Sequence, residues 1–165
     1  MVTFNLIIKK TESFVLRDNF LFLNNNRFLN NNFLHRVRIV TEIIYDPTSG
    51  PIEAFIDTGA LHSVIPLYIL EGDWVQARDI DLTNLPDDIK ETFLKIGGLG
   101  GVERICDFKW VSCWLRDKNE YLNFFEFPAK IIRNESTVVL GMMGFLEKYK
   151  LYIDVTGENA FLVIP

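Results

Sequence analysis

The chain has little of what metal, redox and serine-hydrolase sites are built from. Its 165 residues include only two cysteines and two histidines. His35 and His62 stand at no ligand spacing with each other or with Cys106 and Cys113, so the sequence offers no metal site. There is no Gly-x-Ser-x-Gly elbow to hold a nucleophilic serine. Cys106 and Cys113 fall on one expected strand at an odd spacing, which turns their side chains to opposite faces. A disulfide between them is not expected, and a reducing, cytoplasmic setting is. No apolar run approaches a membrane span. Basic residues are not in excess either: 17 Lys and Arg stand against 22 Asp and Glu, a net charge of −5. Scattered cations give no footprint for nucleic acid, so neither a nucleic acid nor a membrane is expected as a partner. The opening segment Met1–Lys10 places its basic pair after the apolar run and lacks a small-residue cleavage site, so it does not read as a signal peptide.

What is present is apolar and β-prone. Hydrophobic residues make up 48% of the chain and aromatics 13%, enough to close a core in one domain. Residues 20–34 are rich in asparagine, which favours loops, and carry Phe-Leu-Asn-Asn-Asn twice, from Phe22 and from Phe28. Residues 1–34 therefore read as an N-terminal extension of one or two strands and a linker, and residues 35–165 as the domain. There, Val37–Tyr45 and Pro51–Ile56 flank a turn at Asp46-Pro47-Thr48-Ser49-Gly50, the pattern of a hairpin. Val64–Leu70, Phe108–Leu115, Tyr121–Ile132, Leu151–Val155 and Ala160–Ile164 read as further apolar or strand segments. Phe108, Trp110 and Trp114 share one strand face and read as core. Leu85–Leu94, with proline and acids at its start, reads as a short helix. Gly141–Lys150 carries Met142, Phe145, Leu146 and Tyr149 at helical spacing and reads as the one clear helix.

Three motifs then stand in order. Ala54-Phe55-Ile56-Asp57-Thr58-Gly59-Ala60 runs an apolar strand into an acid, a hydroxyl, a glycine and a small residue. A carboxylate at the end of such a strand is costly unless its charge is used. Ile96-Gly97-Gly98-Leu99-Gly100-Gly101 holds four glycines in six residues, which permits a hairpin tip with positive φ, but it lacks the Lys-Ser/Thr of a phosphate loop. Thr137-Val138-Val139-Leu140-Gly141 is a second apolar strand ended by glycine. In this order and spacing, across Arg36 to Asp154, the three resemble the retropepsin-like aspartic proteases.

The resemblance implies an all-β domain, a closed barrel with one short C-terminal helix and a glycine-rich flap. It also implies hydrolysis of peptides by a water held between two carboxylates that share a proton, with no metal and no other cofactor. Asp57 would be the catalytic acid, Thr58 would lock its loop to a symmetry mate, and the Gly59 amide would donate to the carboxylate. Ala60, Leu61, His62, Ile96, Gly97, Gly98, Leu99, Gly100 and Val139 would meet the substrate. Ser63 falls where the family often carries Ser or Thr. Only one such triplet is present, since Asp154-Val155-Thr156-Gly157 has an inserted valine. The second carboxylate would come from a second Asp57 across a two-fold axis, which makes a homodimer the expected active unit, cutting peptides at apolar residues.

Many viral members carry an acid after the small residue and an arginine after the helix-opening glycine. Here those positions are Leu61 and Met142, and exchange of an ion pair for apolar packing, which can be neutral, predicts contact between them. Two alternatives stay open: a non-catalytic dimerisation or peptide-binding module of the same fold, and a latent monomer whose N-terminal extension fills the cleft.

Overall fold

The computed structural model describes residues 2–14, 33–97 and 103–164. In chain order the elements are β1 (Val2–Phe14), β2 (Phe33–Ile44), β3 (Ile52–Ile56), β4 (Ser63–Pro66), β5 (Val75–Asp79), α1 (Asp87–Leu94), β6 (Lys95–Gly97), β7 (Glu103–Ile105), β8 (Asp107–Arg116), β9 (Leu122–Ile132), β10 (Val138–Leu140), β11 (Lys150–Asp154) and β12 (Asn159–Ile164). The fold is mostly β. The helix expected within residues 85–94 is present as α1, opened by Pro86 with Asp87 and Asp88 in its first turn, where acids suit the helix dipole. No described helix is long and apolar enough to cross a membrane.

Ten strands form one sheet in the order β11-β12-β1-β2-β3-β10-β4-β9-β8-β5. Strand β2 also pairs with β8, through Glu42↔Arg116, Ile43↔Leu115 and Ile44↔Trp114, so six strands from β2 round to β8 close into a barrel. Closure is reinforced at that seam. Thr41 Oγ1 donates to the Arg116 carbonyl at 2.8 Å, and Arg116 donates from Nε and Nη2 to one Glu42 oxygen at 2.7 and 2.6 Å.

Along most of β8 the core takes alternate residues, as a one-sided sheet requires, while β4 and the second half of β9 are buried throughout. On β8 the buried set is Phe108, Val111, Cys113 and Leu115, while Trp110 is half-buried and Trp114 is 37% exposed. The expectation that Trp110 and Trp114 line the core is thus reversed, and of that face only Phe108 is buried. The reason lies across the ladder. Phe127 stands opposite Val111 and Phe125 opposite Cys113, and these β9 rings point inward. Together with Phe145 they occupy the interior, with ring centroids 5.5 and 5.1 Å from it, so β8 contributes its smaller side chains there.

Two expectations from sequence need correction. Residues 2–14 are not outside the core: β1 pairs with β12 through Val2–Leu6 and with β2 through Ile7–Phe14, and Phe4 and Leu6 are fully buried. Phe4, Leu6 and Ile8 alternate on one face, and a face of that kind needs cover, which Phe4 finds edge-on against Phe125 at 5.2 Å. Residues 15–32 lie outside the described residues.

The C-terminal helix is also absent. Over Gly141–Lys150 only the 3₁₀ turn Leu146–Lys148 forms. The N–H groups of Met142 and Met143 are drawn outward to the carbonyls of Ala60 and Leu61, and Gly144 takes φ +73° with its Cα pressed on the Pro128 ring. A left-handed residue at the fourth position ends any α-helix there. The spacing of Phe145, Leu146 and Tyr149 recorded burial rather than helical winding.

Candidate active site

Strand β10 is inserted between β3 and β4. It runs parallel to β3 (Val138↔Ala54, Val139↔Phe55, Leu140↔Ile56) and antiparallel to β4 (Val139↔Val64). The connection from β3 to β4, residues 57–62, must therefore step over the end of β10. Asp57 sits where β3 ends, and that step puts its loop directly on Leu140 and Gly141.

Each part of the loop is tied to this crossing. The Asp57 N–H donates to the Leu140 carbonyl at 3.1 Å, Met142 N–H to Ala60 O at 2.9 Å and Met143 N–H to Leu61 O at 2.8 Å. Gly141 N–H donates to Ser63 Oγ at 3.0 Å, and Ser63 is fully buried. Within the loop, Gly59 N–H donates to Asp57 Oδ1 at 2.9 Å and Ala60 N–H to Asp57 O at 3.2 Å, so the carboxylate closes its own turn. Glycine is required at 141, because a Cβ there would lie 2.6 Å from the carbonyl carbon and oxygen of His62 and 2.8 Å from Ala60 O. Asp57, Thr58 and Gly59 are all exposed.

Leu61 and Met142 lie on two segments joined through the backbone, Met142 N–H to Ala60 O and Met143 N–H to Leu61 O. Leu61 is 65% and Met142 37% exposed, so in a single chain the apolar exchange expected at this pair gains little burial.

His62 is half-buried. Its ring lies 5.6 Å from Phe93 of α1 and 5.6 Å from Phe108 of β8, and its buried Nδ1 has no partner among the described residues. Burial, and secondly the nearby Lys130 charge, hold its pKa below the ordinary value, which favours the neutral ring.

On either side of the glycine-rich segment, β6 and β7 pair as a separate two-stranded hairpin, through Lys95↔Ile105, Ile96↔Arg104 and Gly97↔Glu103. Gly98, Leu99 and Gly100, expected at its tip, lie outside the described residues. The base of this hairpin is anchored beside the Asp57 loop. Ile96 and Val139 pack on one small cluster of Val64, Cys106 and Ile132, and Val139 is the residue next to Leu140. Gly97 is exposed.

Two anchors of the hairpin escaped the sequence reading. Lys130, buried within apolar β9, donates from Nζ to the carbonyls of Thr92, at 2.7 Å, and Lys95, where α1 ends. The signal was there to read, because Phe127-Pro128-Ala129-Lys130-Ile131-Ile132 carries a lone cation inside an apolar strand. Cys106 N–H donates to Leu94 O at 2.9 Å and its Sγ to Phe93 O at 3.4 Å. Both cysteines are free and buried. Burial raises the Cys106 thiol and pushes Cys113 up to about 12, so neither is a ready nucleophile.

Among the described residues no group of His, Cys, Asp and Glu is placed to hold a metal ion. One chain thus presents one exposed carboxylate on a rigidly held loop beside a hairpin whose base is pinned. No protein-family model matches this chain, and no curated protein matches it.

Proposed function

We propose that the chain is one half of an aspartic endopeptidase, a homodimer that hydrolyses extended peptides at apolar residues. The observation that carries this reading is the Asp57 loop. A mere connector of six residues has no need of three backbone hydrogen bonds and a buried serine hydroxyl to hold it over β10. A catalytic carboxylate does need such support, since a displacement of ~1 Å can cost about 100-fold in rate.

The exposure of Asp57, Thr58 and Gly59 leaves room for a second copy to bring its own Asp57 against the first. Two carboxylates about 3 Å apart cannot both ionise, so the pair would share one proton. The ionised member takes a proton from water as the water oxygen attacks the peptide carbonyl carbon, and the protonated member gives its proton to the carbonyl oxygen. The resulting gem-diol collapses when the leaving nitrogen is protonated, the C–N bond breaks, and the pair returns to its singly protonated state. This chemistry needs no metal and no cofactor. Thr58 would hold the two loops together, and Gly59 would orient the carboxylate.

The β6–β7 hairpin would act as the flap, with Gly98, Leu99 and Gly100 meeting the substrate backbone and excluding water. Ala60, Leu61, Ile96, Gly97 and Val139 would form the surrounding walls, with His62 beneath them. The peptide would lie as an added strand, held by its backbone.

Replacing Asp57 by Asn tests the chemistry, since the amide can neither share the proton nor act as base. With a fluorogenic peptide library at mildly acidic pH, the variant is expected to lose ~10³-fold or more in rate while remaining folded. Undiminished cleavage refutes the mechanism.

A further inference from the structure

The outer face of the β5–β8–β9 wall carries aromatic rings that the core does not use. Trp74, Trp114 and Phe124 are 37%, 37% and 56% exposed, and Trp114 meets Phe124 edge to face at 5.4 Å. Two hollows adjoin there, sharing Asp73 and Trp74. The larger, about 490 Å³, is lined by Tyr45, Tyr68 and Trp74 together with the acids Asp46, Glu71 and Asp73. The smaller, about 290 Å³, is lined in part by Trp114 and Phe124.

The charges in this trough are unbalanced. Asp46 uses its carboxylate on its own turn, accepting from Thr48 and Ser49, and so has little left for a ligand. Glu71 and Asp73 have no side-chain partner among the described residues. A neighbouring ring on the same face shows what such a surface takes. Trp110, four residues before Trp114 on β8, carries two of the chain's own cations, the Arg78 guanidinium at 5.4 Å and the Lys148 ammonium at 5.6 Å. Among the described residues no cation lies over Trp74 or Trp114. Aromatic faces beside unpaired carboxylates favour a cation carried on an apolar stem, and a net charge of −5 favours its approach. Strand β5 is the last of the sheet, so its outer edge can hydrogen-bond an extended backbone laid beside the trough.

We propose that this trough docks an arginine- or lysine-bearing segment of a protein partner. The cation sits among Tyr45, Tyr68 and Trp74 against Glu71 and Asp73, and an apolar neighbour lies on Trp114 and Phe124. The site is separate from Asp57. Tyr45 precedes β3 and Asp57 follows it, and a five-residue strand spans roughly 16 Å.

The test is a titration of the full chain carrying Asp57→Asn, so that hydrolysis cannot remove the probe and the result does not depend on the catalytic reading. The probe is N-acetyl-Leu-Arg-Leu-amide, followed by the indole N–H resonances of Trp74, Trp110 and Trp114. Saturable shifts are expected at Trp74 and Trp114 and smaller ones at Trp110. The citrulline peptide, neutral but nearly the same shape, is expected to bind about fivefold more weakly or worse. Glu71→Gln combined with Asp73→Asn is expected to cause a similar loss for the arginine peptide without moving the urea midpoint. Equal affinity for the arginine and citrulline peptides, or no shift at Trp74, overturns the proposal. Free arginine amide binding as tightly as the tripeptide overturns it as well, because the partner would then be a small cation and not a protein segment.

Discussion

Gly141→Ala is the substitution that best separates a supported catalytic loop from an ordinary connection. The added Cβ would stand 2.6 Å from the carbonyl carbon and oxygen of His62 and 2.8 Å from Ala60 O, where real Cβ contacts below 3.0 Å are essentially absent. All three atoms are backbone, so no side chain can rotate away, and residues 60–62 must lift by roughly half an ångström or more from a close-packed neighbour. Overpacking of this kind costs ~1–3 kcal/mol. The lift also strains the bonds from Met142 and Met143 to Ala60 and Leu61, each worth about 1 kcal/mol. A total near 3 kcal/mol, with a urea dependence of ~2 kcal/mol/M, lowers the unfolding midpoint by about 1.5 M. Because Ala60 O and Leu61 O hold the far side of the Asp57 turn, peptide hydrolysis should fall further than stability, by ~100-fold at a urea-free pH where the variant is still folded. Gly97→Ala is the control. Nothing among the described residues lies within 4 Å of its added Cβ, and its stability should stay within about 0.5 kcal/mol of the parent. A Gly141→Ala protein with a midpoint like that of Gly97→Ala and a rate like that of the parent would show that the close approach of 141 to residues 60–62 does not exist.

Three more outcomes are expected. If each subunit supplies half of the acid pair, specific activity should fall on dilution in step with the dimer seen by sedimentation, and a fully active monomer would remove the need for a second Asp57. Lys130→Met leaves the carbonyls of Thr92 and Lys95 without their buried donor, so stability should drop by ~2 kcal/mol, and amide exchange should accelerate first in residues 87–97; uniform acceleration across the barrel would mean the lysine does not anchor the hairpin. His62 has a folded pKa below its ordinary 6.5, so the unfolded chain takes up this proton at higher pH than the folded one. The stability linked to it is therefore complete above about pH 6.5 and is lost as pH falls through the folded value, and His62→Leu should flatten the fall in urea midpoint between about pH 7.5 and pH 5; equal slopes in variant and parent would contradict a ring held neutral by partial burial.

Sequence by itself determined the β character of this chain and placed the Asp57 carboxylate at the end of an apolar strand. Alternating apolar residues, turn chemistry at Asp46–Gly50 and the run Ala54–Ala60 are local properties, and periodicity and turn preference act over a few residues. What depended on contacts between distant segments could not be read that way. The inward face of β8 was decided by Phe125 and Phe127 across the ladder, since whichever strand supplies the larger rings leaves the other to supply small side chains. The apolar spacing at Phe145, Leu146 and Tyr149 is compatible with a helix, yet Gly144 is held at φ +73° against the Pro128 ring of a strand earlier in the chain, and no helix forms. Phe4 and Leu6 belong to the core because β12 returns beside β1, a pairing between the two ends of the chain. The demand for glycine at 141 exists only because β10 passes beneath the 57–62 connection, and that crossing is a property of the sheet order and of no single stretch of sequence.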